Sequence, residues 1–322
     1  MTAYQRRRIA NVFIVSYIAS AASAVAQEAT LVAPVADILS SSDSDGFHAQ
    51  RLRAGVLARY DNPWSYRGAM VQASHFSAGD FRQDVAAVLG VYRDQRRDTL
   101  AGIDVEAGVA RVAGHLRPIG EMNLRMTTTL GLAVDVTASA DLVETRKALA
   151  RGLVYSFAAV AVEQPLGERF TATALAGWQQ FSDGNSRPHL RLRLIWLALP
   201  AAGVTLQLRY RQYRSTDADV DGAYFNPEDY RQWLAVAAIR QRHAGWVYSA
   251  AFGVGRESSS GTGSHASSLA EARGEGPILG DARLTVRVGY YRSAGFIDSP
   301  DYAYRLIGAT LVVPFHECLT GK

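Results

Sequence analysis

Apolar and polar residues alternate one by one along most of the chain. In residues 204–211 every second side chain is Val, Leu or Tyr, and those between are Thr, Gln or Arg. The same alternation runs through 52–58, 190–196 and 284–290. Because successive side chains of a β-strand point to opposite faces, each stretch is predicted to be a strand with one apolar and one polar face. A helix would spread the arginines around its circumference, so the pattern favours an all-β fold.

The alternation predicts about 16 strands, joined by compact Pro/Gly turns and longer polar links that alternate in the second half of the chain. Several runs reach 12 to 14 residues, enough to cross a bilayer at a tilt of about 45°. Because lipid does not tolerate an open sheet edge, the fold class expected is a transmembrane antiparallel β-barrel. The predicted strands are 34–42, 47–60, 65–77, 81–94, 101–113, 117–128, 129–140, 150–163, 169–181, 188–199, 203–215, 229–242, 246–257, 264–275, 280–293 and 302–315.

A soluble β-sandwich is the alternative all-β fold. Its strands would be shorter, about five or six residues, with aromatic rings buried in mid-strand. In this chain the aromatic residues gather near strand ends, where rings of membrane barrels lie at the membrane–water interface. The residues concerned are Tyr60, Trp64, Tyr66, Phe76, Tyr92, Phe181, Tyr213, Tyr230, Trp233, Trp246, Tyr290, Tyr291, Tyr302 and Tyr304.

The N-terminus predicts export. Three arginines, Arg6 to Arg8, precede an apolar run over 9–22, and Ala24-Val25-Ala26 has the small-x-small pattern of a cleavage site. The alternative, a first transmembrane helix, would need about 20 apolar residues. We therefore expect a signal peptide over 1–26, an outer-membrane barrel over 27–315 and a tail over 316–322 that contains the lone Cys318.

Composition excludes several classes of function. One Cys excludes a disulfide framework and a Cys-based zinc cluster. The net charge of +4 is small and spread along the chain, which argues against nucleic-acid binding. None of the seven His lies in a nucleophile elbow or a metal-ligand spacing, so we expect neither catalysis nor a cofactor.

An acidic link offers one possible cation site. Asp217, Asp219, Asp221 and Glu228 have the spacing of a calcium loop. The flanking segments are predicted strands, whereas such loops lie between helices. We therefore favour surface acids in a polar loop and expect no metal.

The polar face of each strand should point into the barrel, so the arginines on it should line the lumen. Fixed cations there would favour anions and guide anionic or hydroxyl-rich chains by repeated hydrogen bonding. Tyr213 and Tyr291 could share contacts with sugar rings. The alternative is that the arginines pair with acids such as Asp104 and Glu106 and simply fill the barrel. The candidate lumen arginines are Arg51, Arg53, Arg59, Arg82, Arg191, Arg193, Arg209, Arg211, Arg283, Arg287 and Arg305.

One region resembles a known family. Phe181-Ser182-Asp183-Gly184-Asn185, then 190–199 and 207–211, lead to a Gly-Ala-Tyr-Phe-Asn-Pro-Glu-Asp-Tyr segment at 222–230. These residues are similar to the C-terminal barrel domains of exopolysaccharide exporters, namely the poly-N-acetylglucosamine export porin and the outer-membrane cellulose synthase subunit. The resemblance implies a 16-stranded barrel in which Tyr224, Phe225, Asn226, Pro227 and Tyr230 enter a strand from an outer loop.

The resemblance also implies a function and partners. We expect a passive conduit in the outer membrane for a neutral or acidic exopolysaccharide, with outer-membrane lipid and the polysaccharide chain as its partners. Such exporters carry periplasmic helical repeats that this chain lacks before its first strand, so a separate periplasmic repeat protein and an inner-membrane glycosyltransferase are expected. The alternatives are a general or anion-preferring small-solute porin and a plugged structural or adhesive barrel.

Overall fold

The computed structural model describes residues 31–217, 219–261, 263–293 and 302–315, which form a closed antiparallel barrel of sixteen strands. Each strand pairs with its sequence neighbours, and β16 pairs with β1. The predicted fold class is confirmed. The strands are β1 Leu31–Asp43, β2 Phe47–Asn62, β3 Ser65–Ala78, β4 Phe81–Gln95, β5 Gly102–Val112, β6 His115–Thr127, β7 Ala133–Leu142, β8 Val154–Leu166, β9 Phe170–Phe181, β10 Ser186–Leu199, β11 Val204–Arg214, β12 Asp229–His243, β13 Trp246–Ser259, β14 Gly263–Leu279, β15 Ala282–Arg292 and β16 Ala303–Val312.

The predicted signal peptide (1–26) and tail (316–322, with Cys318) lie outside the described residues. Two short helices interrupt the strands, α1 at Arg146–Ala150 and a 3-10 turn at Pro200–Ala202. Within the described ranges, no helix has the length and apolar character of a membrane span.

Every predicted strand overlaps an observed one, with ends that differ by up to four residues, and two of these differences have a clear structural cause. The sixth and seventh strands, predicted to meet at 128/129, are separated by a turn over 128–132. The eighth begins at Val154 rather than 150 because α1 occupies the end of the preceding link.

The barrel wall separates the two faces of each strand as the alternation predicts. On β2, Leu52 and Val56 point outward and are 56% and 46% exposed, whereas Arg51 and Leu57 point inward and are buried. The outward positions of most other strands likewise carry exposed Val, Leu, Ile or aromatic side chains, interspersed with small residues such as Ala and Gly. Such a closed apolar belt is what lipid contact requires.

Three predicted lumen arginines are on the wrong face. Arg305 shares the outward face of β16 with the exposed Ile307, and Arg82 is exposed on the outward face of β4. Irregular pairing after Leu57 shifts the alternation in β2, so that Tyr60 is buried in place of Arg59. Near a strand end or a bulge, therefore, a polar side chain does not always point into the barrel as the alternation predicts.

The aromatic belt is also smaller than predicted. Tyr92, Trp233 and Tyr290 are exposed on the outer wall. Seven of the rings assigned to the interface are instead buried inside the barrel, because their positions have the parity of the lumen face. These are Tyr60, Phe76, Phe181, Tyr213, Tyr230, Tyr291 and Tyr304.

The two ends of the barrel differ in their connections. One end, here called the turn end, carries mostly short turns such as 244–245 and 280–281, together with the start of β1 and the end of β16. The other, the loop end, carries the links 143–153, 182–185 and 215–228. The longest of these links return over the lumen and determine the shape of the candidate site.

Candidate functional site: the lumen of the barrel

The lumen face of β10 and β11 carries a concentration of positive charge. Five arginines, which we call the arginine column, point inward at alternate positions: Arg187, Arg191 and Arg193 on β10 and Arg209 and Arg211 on β11. In the pairing of the two strands, Arg191 is opposite Arg211 and Arg193 is opposite Arg209. Like charges directly opposite on neighbouring strands are destabilising. The inward positions of these two strands contain no carboxylate.

Arg191 is distinguished within the column by its lack of hydrogen-bond partners in the described residues. It is 8% exposed, and its Nε, Nη1 and Nη2 atoms have no hydrogen-bond partner in the described part of the chain. Its guanidinium lies 5.9 Å from the ring centroid of Phe157. A buried charge without a carboxylate is costly, and within a membrane-spanning segment it indicates a functional position.

A single amide holds the two arginines nearer the turn end. The Gln207 Oε1 atom accepts from Arg193 Nη2 at 2.8 Å and from Arg209 Nε and Nη2 at 3.0 and 2.8 Å. A neutral acceptor fixes both guanidinium groups without cancelling either charge. Gln207 therefore orients the positive pair and leaves its charge intact.

Arg211 connects to a carboxylate through a tyrosine. Its Nη2 donates to Tyr230 Oη at 2.7 Å, and Tyr230 Oη donates to Glu257 Oε2 at 2.5 Å. Gln232 and Ser293 donate to the same carboxylate oxygen at 2.9 and 2.7 Å. The charge of Glu257 is thus shared among several donors at the loop end.

Three other predicted lumen arginines do form ion pairs. Arg53 Nη1 lies 3.0 Å from Glu106 Oε2, Arg287 Nη2 lies 3.8 Å from Asp37 Oδ2, and Arg51 pairs with Glu144. For these residues the structure supports the space-filling interpretation. Arg283 also lies on the inward face of β15, toward the turn end.

On the inner wall formed by β4 to β8, arginines form ion pairs with carboxylates of nearby strands. Arg125 donates to Asp135 Oδ2 at 2.9 Å and to Glu163 Oε1 at 2.7 Å. Arg93 Nη2 lies 2.6 Å from Asp104 Oδ2. On this wall arginines and carboxylates lie on the same or nearby strands, whereas β10 and β11 carry no carboxylate of their own.

A cavity of about 390 Å³ lies on the turn-end side of the arginine column. It is bounded by the turn between β10 and β11, by residues of β10 to β16 and by Leu39 of β1. Its charged and aromatic lining includes Arg193, Arg209, Glu271, Arg287 and Tyr291. Within the arginine column, a molecule entering from this end would reach Arg193 and Arg209 before Arg191 and Arg211.

The loop end is covered by two links, 143–153 and 215–228 without residue 218, which we call the loop-end cover. In the first link, Thr145 caps helix α1 by accepting from Ala148 N, and Gly152 ends it with a φ of +62°. Leu149 of this helix is fully buried and belongs to one hydrophobic cluster with inward residues of β1 to β7. The cover therefore packs onto the lumen wall.

The two links of the cover hold each other. Thr145 Oγ1 donates to the carbonyl of Ala223, Lys147 Nζ donates to the carbonyl of Asp221 at 2.9 Å, and Arg151 pairs with the Asp221 carboxylate. The hydrogen bond from Arg151, with the nearby charge of Lys147, lowers the pKa of Asp221 below its usual 3.8. Asp221 is therefore ionised and paired at neutral pH.

The predicted outer-loop residues lie at the loop end, but they fold inward. Tyr224 is buried and stacks on Phe181, with ring centroids 4.5 Å apart, and it donates to Asp183 Oδ2 at 2.8 Å. Burial raises the pKa of Tyr224 well above its ordinary value of 10.0. Pro227 is buried too, and Tyr230 belongs to the lumen face of β12. The segment is thus a loop-end link that folds over the lumen before it enters β12.

Arg187 anchors this link, although the sequence did not single it out. Its Nη2 donates to the carbonyl of Phe225 at 2.6 Å and to Asn226 Oδ1 at 2.9 Å. Its guanidinium also lies within 5.3 Å of the rings of Phe181, Tyr213 and Tyr224. The alternation of β10 extends to position 187 and could have indicated its inward direction. Glu144 and α1 were also missed, although a Thr145 cap and a terminal Gly152 were visible in the sequence.

No protein-family model and no curated protein matches the sequence. Among solved structures, the chain is similar to a bacterial polysaccharide outer membrane secretin, with 13% identity, a TM-score of 0.63, and coverage of 91% of this chain and 100% of that one. It is also similar, at a TM-score of 0.46 and 10% identity, to OprD of Pseudomonas aeruginosa, with coverage of 89% and 96%. At this identity the likeness to the secretin shows a common barrel fold.

Proposed function

We propose that this protein is an outer-membrane conduit through which an exopolysaccharide, neutral or acidic, leaves the cell. Its closed apolar belt fits insertion in a membrane, and export by a signal peptide would direct it to the outer membrane. In barrels of that membrane the short turns face the periplasm, so the turn-end cavity would receive the polymer. The conduit would act on the polymer by electrostatics, hydrogen bonding and width, with no covalent chemistry.

The observation that carries this proposal is that like charges face each other across two strands of the lumen. Arg191 lies directly opposite Arg211, and Arg193 lies directly opposite Arg209. A barrel that only had to be filled would be more stable with carboxylates or apolar residues at these positions. Guanidinium groups suit a polymer of hydroxyl and carboxylate groups because their planar fork donates two parallel hydrogen bonds. The likeness to the polysaccharide secretin supports the same class of cargo.

The loop-end cover gives the conduit a closed resting state in this proposal. Its two links pack on the lumen wall and on each other, so a polymer can pass only when they move aside. A partner at the turn end, such as a periplasmic repeat protein that delivers the polymer from a membrane glycosyltransferase, could supply that displacement.

Planar-bilayer recordings of the refolded mature chain test the conduit. We expect rare, anion-selective openings, and block of these openings by an oligouronate added at the turn-end side. A neutral oligoglucan of equal length should block more weakly. Cation selectivity, or block from the loop-end side alone, would contradict the proposal.

The runner-up function is an anion-preferring small-solute porin, which the arginine column would equally suit. A porin should admit monosaccharide anions into liposomes at steady rates, whereas a covered conduit should not. Loss of secreted polysaccharide in a strain lacking the gene, with unchanged uptake of small anions, would favour the conduit. A plugged structural barrel would show neither property.

A further inference from the structure

Arginine side chains also project outward from the barrel wall near its loop end. They occupy outward strand positions that they share with lipid-facing side chains, as Arg305 does with Ile307. The outward carboxylates at this end of the described strands are Asp84, which lies 2.7 Å from His75 Nδ1, and Asp229, which pairs with Arg214 at 3.2 Å. Positive charge is therefore in excess. The outward arginines are Arg82, Arg111, Arg214, Arg231, Arg256, Arg292 and Arg305.

Two of these arginines surround an exposed aromatic ring. Arg256 on β13 is directly opposite Trp233 on β12, and Arg231 lies two residues from Trp233 on the same face. Trp233 is 52% exposed, and its ring centroid lies 4.4 Å from that of Tyr210 on β11. Neither Arg231 nor Arg256 has a carboxylate within ion-pair distance in the described ranges. We call Arg231, Trp233 and Arg256 the outer-wall patch.

The depth of the outer-wall patch follows from its residue types. Tryptophan and tyrosine on a barrel wall mark the level of the headgroups. An arginine on the lipid face costs about 2–4 kcal/mol at the midplane but little near the interface. Arg231 and Arg256 are closer to the loop end than the exposed Phe252 and Val254, which continue the same wall toward the midplane. The patch therefore places cations at headgroup level directly above an acyl-chain surface.

We propose that the outer-wall patch binds the phosphate groups of a phosphorylated glycolipid in the leaflet at the loop end. Guanidinium groups donate two hydrogen bonds to a phosphate, which an ammonium group cannot match in geometry. The sugar ring would lie on Trp233, and the acyl chains would follow Val254 and Phe252. This site lies outside the lumen and does not depend on what passes through it.

The turn end supplies a matched control. Arg59 on β2 and Arg67 on β3 are outward, exposed and opposite each other, as neighbours on adjacent strands. Arg59 pairs there with Asp61 at 2.8 Å. A double substitution at these positions removes the same charge from the other leaflet.

The test compares the full mature chain with R231Q/R256Q and R59Q/R67Q, each reconstituted in vesicles containing diphosphorylated lipid A or the same glycolipid without phosphates. Glycolipid retained after detergent extraction is counted by native mass spectrometry, and heat-modifiable migration on gels verifies folding. We expect retention of the phosphorylated form to fall about fivefold per arginine removed in R231Q/R256Q. R59Q/R67Q should retain it like the parent chain.

Equal retention by R231Q/R256Q and the parent chain would overturn the proposal, as would equal retention of the glycolipid without phosphates. Complete displacement by inorganic phosphate alone would show a soluble-anion site and overturn the lipid assignment. If R231Q/R256Q fails to fold, the single variants R231K and R256K keep the charge and lose the fork, and each should retain less glycolipid.

Discussion

Arg191 on β10 lies directly opposite Arg211 on β11, inside a membrane-spanning barrel and with no carboxylate on the lumen face of either strand. The two residues differ in their surroundings. Arg211 donates to Tyr230 and through it connects to Glu257, whereas the guanidinium nitrogens of Arg191 have no hydrogen-bond partner in the described residues. A residue that weakens the fold in this way is expected to serve function. Its replacement should therefore change the stability of the barrel and its binding of polymer in opposite directions.

Replacement of Arg191 by Met should make the barrel more stable and a poorer binder of acidic polymer. Removing the buried charge relieves its desolvation cost, by about 1–4 kcal/mol on the scale of buried ion-pair replacements. Loss of charge-assisted hydrogen bonds should weaken block by an oligouronate about tenfold. Urea unfolding and bilayer recordings measure the two effects. The outer-wall variant Arg305→Met is the control, and block unchanged by Arg191→Met would contradict a lumen role.

Replacement of Glu144 by Gln should open the conduit. Glu144 and Arg51 are both buried, and breaking a buried ion pair by removing one partner costs about 3–5 kcal/mol, so the substitution weakens the contact under the loop-end cover. We expect a higher open probability in bilayers. The double variant Glu144→Met with Arg51→Met removes both charges and should return the channel toward its closed state. A single variant as closed as the parent chain would show that this ion pair does not hold the cover.

Replacement of Leu149 by Ala should loosen helix α1 from the wall. Leu149 is fully buried against inward side chains, and truncations of this kind cost about 2–5 kcal/mol. We expect proteases added at the loop end to cut within 143–153 in this variant. Leu130 lies in a turn and is 88% exposed, so Leu130→Ala should behave like the parent chain. Equal resistance of both variants would argue against tight packing of the cover.

Acid should release the cover through Asp221. The pKa of Asp221 is lowered from 3.8 by its pairing with Arg151 and Lys147, so its ionised form favours the closed arrangement. That contribution is present above pH 3.8 and is lost as the pH falls through the lowered value. We expect conductance to rise in that acidic range. In Asp221→Asn the rise should be absent, with openings already more frequent at neutral pH, and an unaltered acid response would exclude this residue as its origin.

The strands were the most predictable part of the molecule. The two-residue period is a local property, and one face of each strand must meet lipid, so the sequence of β11 alone specifies which side chains of Leu208 and Arg209 face out and in. The same rule failed at Arg59, where a bulge changes the parity, and at Arg82 and Arg305, where an arginine occupies the outward face close to a strand end. Tyr213 and Tyr291, which the sequence assigned both to the interfacial aromatics and to the lumen, lie in the lumen.

The candidate site was only partly predictable because its distinctive features depend on contacts between distant segments. Arg51 and Arg191 look alike in sequence, yet one meets Glu144 from the cover and the other meets no carboxylate. Nothing local to 222–230 indicates that Tyr224 stacks on Phe181 rather than extending into solvent. A charged side chain in the lumen meets its partners only when the barrel closes, so the sequence of its own strand does not show whether it will be paired.

The pairing of β1 with β16 also constrains how the chain reaches its final form. Thr310 donates to Asp37 Oδ2 at 2.6 Å across this seam, between residues 273 positions apart. Contacts of such sequence separation form slowly, and until they do both terminal strands present unpaired edges that can join other chains. Synthesis of β16 must therefore precede closure. Substitutions at the seam should therefore lower the yield of assembled barrels, while the barrels that do assemble should conduct like the parent chain.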